Sequence, residues 1–355
     1  MADLHLLRKT EVGSLLTIKD IARLANVSVS TVSRVLNDRP DVSEESRRRV
    51  RAVIEEHHFI PSNTARDLVR VNPDTIGLVV RGMQNPFYTD IILAIESALE
   101  AAGYTMVMRQ IGFSDNEVEA GAVMQREKKL RGIIFLGGRS DYTPQEMARV
   151  SVPYVLCAYT NACGTLDRNA YSSVSICDED AARAAVEKLI ERGHRGIAAL
   201  VADTDDSTIS QLRYQGYCRA LREHDIPLRS ELVFTTGNSF SIEDAYRAMD
   251  GALKRTADFT ALFAIADDMA IGAMRALREH GRRLPDDCSV VAIDGIAVSE
   301  YIHPMLSTFC QPKTELGTKS VELLLDMLEG RGGHRQLTLP TTFRPGASIC
   351  GISAL

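Results

Sequence analysis

No stretch of this sequence stays apolar long enough to cross a bilayer, which takes about 20 consecutive residues. The first residues, MADLHLLRKTEVGSLL, place their basic side chains after a short apolar patch, the reverse of a secretory signal. An intracellular chain with no membrane partner is expected. Cysteine is present but unorganised: Cys157, Cys163, Cys177, Cys218, Cys288, Cys310 and Cys350 form no C-x-x-C pair and have no histidine at metal spacing. That scatter excludes a disulfide framework and a zinc site, and suits reduced thiols in the cytosol. The neighbours His57 and His58 point to different sides of any helix and are read as surface residues. Also missing are G-x-G-x-x-G, a Walker motif, G-x-S-x-G and any His/Cys/carboxylate constellation. No catalytic residue, metal or cofactor is expected, and nothing favours an enzyme.

What is present is an ordinary globular composition, 45% hydrophobic and 25% charged over 355 residues, enough for two or three domains. The net charge of −6 is uneven. Residues 1–70 hold twelve Lys and Arg against ten Asp and Glu, so the acid belongs to the remainder. The bases cluster in RRRVR, Arg47 to Arg51, which alone would be only a solvated helix face.

The segment VSVSTVSRVLN, Val27 to Asn37, spends three serines and a threonine where a solvated helix usually has Glu, Lys or Gln. Its surroundings explain them. Thr17 caps a first helix with Asp20 three residues on, and Ile18, Ile21, Ala22 and Ala25 follow at helical spacing. Asn26 suits a tight turn, and Ser28 caps a second helix. On that helix Val32, Val35 and Leu36 form the apolar side, with Val29 near enough to be partly core. Ser30, Ser33, Arg34 and Asn37 fall on the other side. Small donors there let the helix approach a polyanion closely, and Arg34 can bridge base-edge acceptors or phosphate. A third helix capped by Ser43 completes a helix-turn-helix headpiece.

TIKDIARLANVSVSTVSRVLN, followed by VSEESRRRVRAVIEEHHFIPSNTARDL, resembles the head of the lactose-repressor/galactose-repressor (LacI/GalR) family of bacterial transcription regulators. The resemblance implies that Thr17, Ser28, Thr31, Ser33 and Asn37 position phosphates. Val29, Ser30 and Arg34 then point to base edges. It also implies a hinge at 63–73, between a head at 15–62 and a core at 74–355, with Leu68 wedged into the minor groove. Two departures are Ser62, where the family usually has Asn, and Asp67, an acid beside DNA.

From Thr75 the pattern alternates aliphatic strands, such as TIGLVV, GIIFLG, GIAALVAD and SVVAID, with amphipathic helices. The expected fold class is α/β: a helix-turn-helix head followed by two doubly wound lobes of mostly parallel sheet. The resemblance implies a periplasmic-binding-protein-like core, with lobe one at about 74–176 and 312–337 and lobe two at about 177–311 and 338–355. Ligands of such sheets lie at the carboxyl ends of strands. There, Arg213 and Asp294 match the family's effector-binding arginine and acid, and Phe87 and Tyr217 are candidates for apolar walls. Arg213 has a competing assignment as an ion-pair partner of Asp203, Asp205 or Asp206, and Ala266 stands where the family often has Asn. The partners implied are operator DNA with an inverted repeat, a small polar effector such as a carbohydrate or related metabolite, and a second copy of the chain. The chain ends at Leu355 without a heptad tail, which favours a homodimer, cytoplasmic and at the nucleoid.

Overall fold

The computed structural model describes residues 17–36, 39, 41–57, 74–82, 85–160, 163–203, 208–255 and 258–352. Two compact units divide the chain between Asn72 and Pro73.

The first unit contains α1 (Ile18–Leu24), α2 (Val29–Leu36) and α3 (Glu44–Glu56). Local chemistry sets the starts of α1 and α3 and the turn between α1 and α2. The Asp20 carboxylate accepts the Thr17 N–H at 2.9 Å and the Thr17 hydroxyl at 2.7 Å, which holds the start of α1 and lowers the Asp20 pKa. Asn26 takes the left-handed conformation, φ 52°, that turns the chain from α1 into α2. Ser43 Oγ caps α3 by accepting from Ser46 N–H at 3.3 Å. Ile21, Ala22, Ala25, Val32, Val35 and Val50 close the small core between the helices. Each fully buried Ile or Val contributes about 1.5–3 kcal/mol.

The second unit runs through β1 (Thr75–Arg81), α4 (Phe87–Ala101), β2 (Thr105–Ile111), α5 (Glu117–Lys128), β3 (Gly132–Leu136), α6 (Pro144–Met147), β4 (Tyr154–Cys157) and β5 (Ser172–Ser175). It continues with α7 (Asp178–Ile190), β6 (Ile197–Val201), α8 (Ile209–Glu223), β7 (Val233–Thr235), α9 (Ile242–Leu253), β8 (Ala261–Ala264) and α10 (Asp267–Glu279). Last come β9 (Ser289–Asp294), β10 (Ser307–Cys310), α11 (Lys313–Leu328), β11 (Gln336–Thr338) and β12 (Thr342–Arg344).

Two six-stranded sheets result, ordered β11-β5-β4-β3-β1-β2 and β12-β10-β9-β8-β6-β7. Every pairing is parallel except β10 with β12. Helices cover both faces, so the central strands β3, β8 and β9 are buried at every position. The chain passes from the first sheet's lobe to the second's after β5, returns after β10, and crosses again between β11 and β12. The order reversal within each sheet, between β1 and β3 and between β6 and β8, opens a crevice at the carboxyl strand ends.

Candidate nucleic-acid interface and ligand cavity

Helix α2 carries the surface of the head. Val32 and Val35 are buried, whereas Ser28, Ser30 and Arg34 are exposed and Thr31 and Ser33 half-buried. Val29 is 41% exposed rather than part of the core, because it precedes the first inward-facing position of the helix. Ser28 Oγ accepts from Thr31 N–H at 3.1 Å and lies 2.7 Å from Ser30 Oγ and 2.8 Å from Thr31 Oγ1. Three hydroxyls thus share one cluster at the N-terminal end of the helix, where the backbone dipole favours an anion. Arg34 Nε is 3.7 Å from the Asp41 carboxylate, and both groups are more than half exposed. Such a pair is worth little in water, so Asp41 holds the Arg34 guanidinium only weakly. Thr17 is exposed at the head of α1. Arg48 and Arg49 add exposed positive charge on α3. Asn37 and Leu68 lie outside the described residues.

In the second unit a cavity of about 470 Å³ opens where the strands of both sheets end. Arg81 closes β1, Ile111 closes β2 and Asp294 closes β9, and all three line it. Arg213, on the second turn of α8, reaches the same wall. It is 1% exposed, and its Nε donates to Asp178 Oδ1 at 2.7 Å while Nη1 donates to Asp294 Oδ1 at 3.1 Å and to the Ile265 carbonyl at 2.5 Å. Asp178 is therefore the partner that sequence alone missed. It becomes one because α7 and α8 approach closely at Gly216, where a Cβ would stand 2.2 Å from the Glu179 carbonyl. Burial raises the pKa of both Asp178 and Asp294, against the pull of Arg213. On Arg213 burial opposes the charge, but the two carboxylates outweigh it and push its pKa up.

Asp294 is held with care. Its φ of 130° is a conformation that side-chain-bearing residues rarely adopt, and such strain gathers at ligand clamps. Gln311 Nε2 donates to its Oδ1 at 2.8 Å and Gln311 N–H to its carbonyl at 3.2 Å. The following turn is fastened by the buried Asp267, which accepts from Ile296 N–H at 2.9 Å, Ser299 Oγ at 2.9 Å and Thr308 Oγ1 at 2.5 Å. Burial and the nearby Asp294 push Asp267 up to about 7.

Phe87 lines the cavity, and so do Tyr88, Phe113 and Phe240. Tyr217 does not, contrary to the wall expected of it. It lies one helical turn beyond Arg213, wholly buried, its ring stacked on Phe263 at 6.3 Å and its hydroxyl donating to the Ile197 carbonyl at 2.9 Å. The cavity meets only the start of α8, so this turn belongs to the core of lobe two. Sequence reasoning missed Arg81, Tyr88, Phe113 and Phe240. Arg81 and Tyr88 sit beside Phe87 in the strand-end segment and were findable there; the other two come from separate loops. Among the described residues, no group of three His, Cys, Asp or Glu is placed to hold a metal, and no helix is long and apolar enough to cross a membrane.

Residues 17–62 match the model for "Bacterial regulatory proteins, lacI family", and residues 186–349 match that for a "Periplasmic binding protein-like domain". The regulator MalR of Clostridium butyricum is 37% identical over 328 residues, which cover 92% of this chain and 97% of MalR. The chain belongs to the lacI family. Among solved structures it resembles a complex of the regulator CelR with cellobiose, at 31% identity and a TM-score of 0.70 over 94% of this chain and all of CelR. It also resembles the lac repressor dimer bound to operator and the anti-inducer ONPF, at 26% identity and a TM-score of 0.73 over 95% of this chain and all of that one. As a family member it is a DNA-binding transcriptional regulator with an effector-binding core. In this lacI-family regulator the hydroxyl cluster of α2 and the Arg213–Asp294 wall fall in separate units.

Proposed function

We propose that the chain is a cytoplasmic homodimeric repressor rather than an enzyme. It reads an inverted-repeat operator with one α2 per half-site, and it is switched by a small polyhydroxylated effector in the cavity between its lobes. Val29, Ser30 and Arg34 face base edges, and Thr17, Ser28, Thr31, Ser33 and Asn37 hold phosphates. Residues 63–73 form the hinge, with Leu68 as the minor-groove wedge. Arg213, Asp294 and Phe87 contact the effector. The observation that carries this reading is the Arg213–Asp294 pair at the cavity wall, an exacting arrangement of donors and acceptors at the end of a strained strand. The ligands named with the structural relatives, cellobiose and ONPF, are bound by those proteins and support the same class here. The effector shifts operator affinity only by its differential affinity for the open and closed lobes.

The test is to select operators from random DNA, then measure operator affinity by fluorescence anisotropy across a panel of neutral sugars, sugar phosphates and nucleobases. A two-fold symmetric site whose affinity changes with one class of compound is expected. Selected sites without symmetry, or affinity indifferent to every compound, refute the proposal.

A further inference from the structure

Arg81 enters the cavity from lobe one, facing the wall that Arg213 supplies from lobe two. Its guanidinium is fixed on three sides. Nε–H donates to the Phe113 carbonyl at 2.8 Å, the Phe113 ring lies under the guanidinium at 4.8 Å, and the Glu117 carboxylate stands 3.9 Å from Nε. Phe113 in turn meets Phe240 of lobe two, with ring centroids 5.8 Å apart. Among the described residues, no hydrogen bond occupies the two terminal nitrogens of Arg81, and they are not sealed from the cavity.

Glu117 is the unusual member. It is 1% exposed on the first turn of α5, and its Oε1 accepts from the Tyr142 hydroxyl and from Arg139 N–H at 3.1 Å. Among the described residues its Oε2 has no hydrogen-bond donor, and its ion-pair partner is Arg81. A buried carboxylate is tolerated when paired, and Arg81 is the cation it is paired with. The fork that faces the ligand is therefore already neutralised from behind. Arg213, the other cation on the wall, is already shared by two carboxylates. Among the described lining residues, an anionic ligand entering this cavity meets only cations already paired with carboxylates, and it finds Asp294 against it.

We infer that Glu117 and Phe113 hold Arg81 as a charge-cancelled hydrogen-bond fork that selects an effector bearing neutral adjacent hydroxyls and rejects its phosphorylated or carboxylated counterparts. This rests on the proposed effector role of the cavity. Arg81 is the contacting residue, and Glu117 is a positioning residue that acts through it.

The experiment titrates the full-length protein by calorimetry with glucose, ribose and cellobiose and with the anionic counterparts glucose 6-phosphate, ribose 5-phosphate and glucuronate. Wild type, Arg81→Lys, Arg81→Met and Glu117→Gln are compared. Glutamine keeps an acceptor oxygen for Tyr142 and Arg139 and replaces the charged oxygen that faces Arg81 by a neutral amide NH2. At least one neutral sugar should bind wild type in preference to its anionic counterpart. Arg81→Met should lose that binding by tenfold or more, and lysine, a point charge without the fork, should restore little of it. Glu117→Gln should shift the neutral-to-anionic preference toward the anion by about tenfold through the lost opposite charge beside Arg81, a change that mere loosening of the fold does not produce. Preference of wild type for an anionic probe, binding unchanged in Arg81→Met, an unmoved preference in Glu117→Gln, or no neutral sugar bound each overturns the inference. A protein that still answers some effector on its operator keeps the regulatory reading while losing this one.

Discussion

Replacing Arg213 by methionine removes the one cation shared by Asp178 and Asp294 while keeping most of the side chain's bulk. Both carboxylates are almost wholly inaccessible, so they cannot turn to water. Breaking a buried pair by deleting one partner costs about 3–5 kcal/mol, and here two anions are stranded, which places the loss at the upper end. For a unit of this size about 2 °C of melting temperature is lost per kcal/mol, so a drop of roughly 10 °C is expected. The pH dependence gives the decisive sign. In the native protein both carboxylates already sit above their ordinary pKa because of burial, and losing Arg213 raises them further. An acid whose folded pKa is raised gives stability that is present below its unfolded pKa and lost as pH rises through the folded value. The deficit of Arg213→Met should therefore be largest near neutral pH and shrink as pH falls toward 5. Adding Asp178→Asn should recover part of it, since one stranded charge is removed. Thermal melts of wild type, Arg213→Met, Asp178→Asn and the double variant at several pH values supply the test. A deficit below about 1 kcal/mol, one that grows toward acid, or a double variant no better than the single one refutes the argument.

Three further outcomes are expected. Ser30→Ala should change which half-site base is preferred, whereas Ser33→Ala should weaken all sequences about equally; identical base preferences in a random-pool selection remove the register proposed for α2. Leu68→Ala should weaken operator binding by on the order of 1–3 kcal/mol at matched salt and leave effector affinity unchanged, and anisotropy titrations decide whether the hinge wedge survives. Tyr217→Phe should cost about 1 kcal/mol of stability through the lost bond to the Ile197 carbonyl and leave effector affinity as it was; a tenfold affinity loss by calorimetry would restore Tyr217 to the ligand wall.

The head was legible because its boundaries are local. Thr17 with Asp20, Asn26, Ser28 and Ser43 each act within four residues, so the caps and turn are written in consecutive letters. The aliphatic strands were legible for the same reason that they are buried. Strand β5 was not: its sequence SSVS is almost polar, yet all four residues are buried. Ser172 Oγ accepts from Arg335 N–H at 3.3 Å, a partner 163 residues away that no local pattern contains. The same limit governs the cavity. Strand ends pointed to Arg213, Asp294 and Phe87, but the pairing of Arg213 with Asp178 depends on how α7 packs on α8. Tyr217 shows the complementary failure: helical spacing fixes the face of a residue and not its depth along the axis, and one turn separates the ligand wall from the core.

The three passages of chain between the lobes also order events during synthesis. Helix α11 and strand β11 complete the first lobe, yet they follow every parallel strand of the second. The first lobe thus cannot finish folding until residue 338 has left the ribosome, long after the head, whose three helices are complete by residue 56. A growing chain carries a finished headpiece ahead of an unfinished effector core. Any truncation before α11 leaves the β1 sheet without its edge strand β11 and the first lobe without the helix packed on α4.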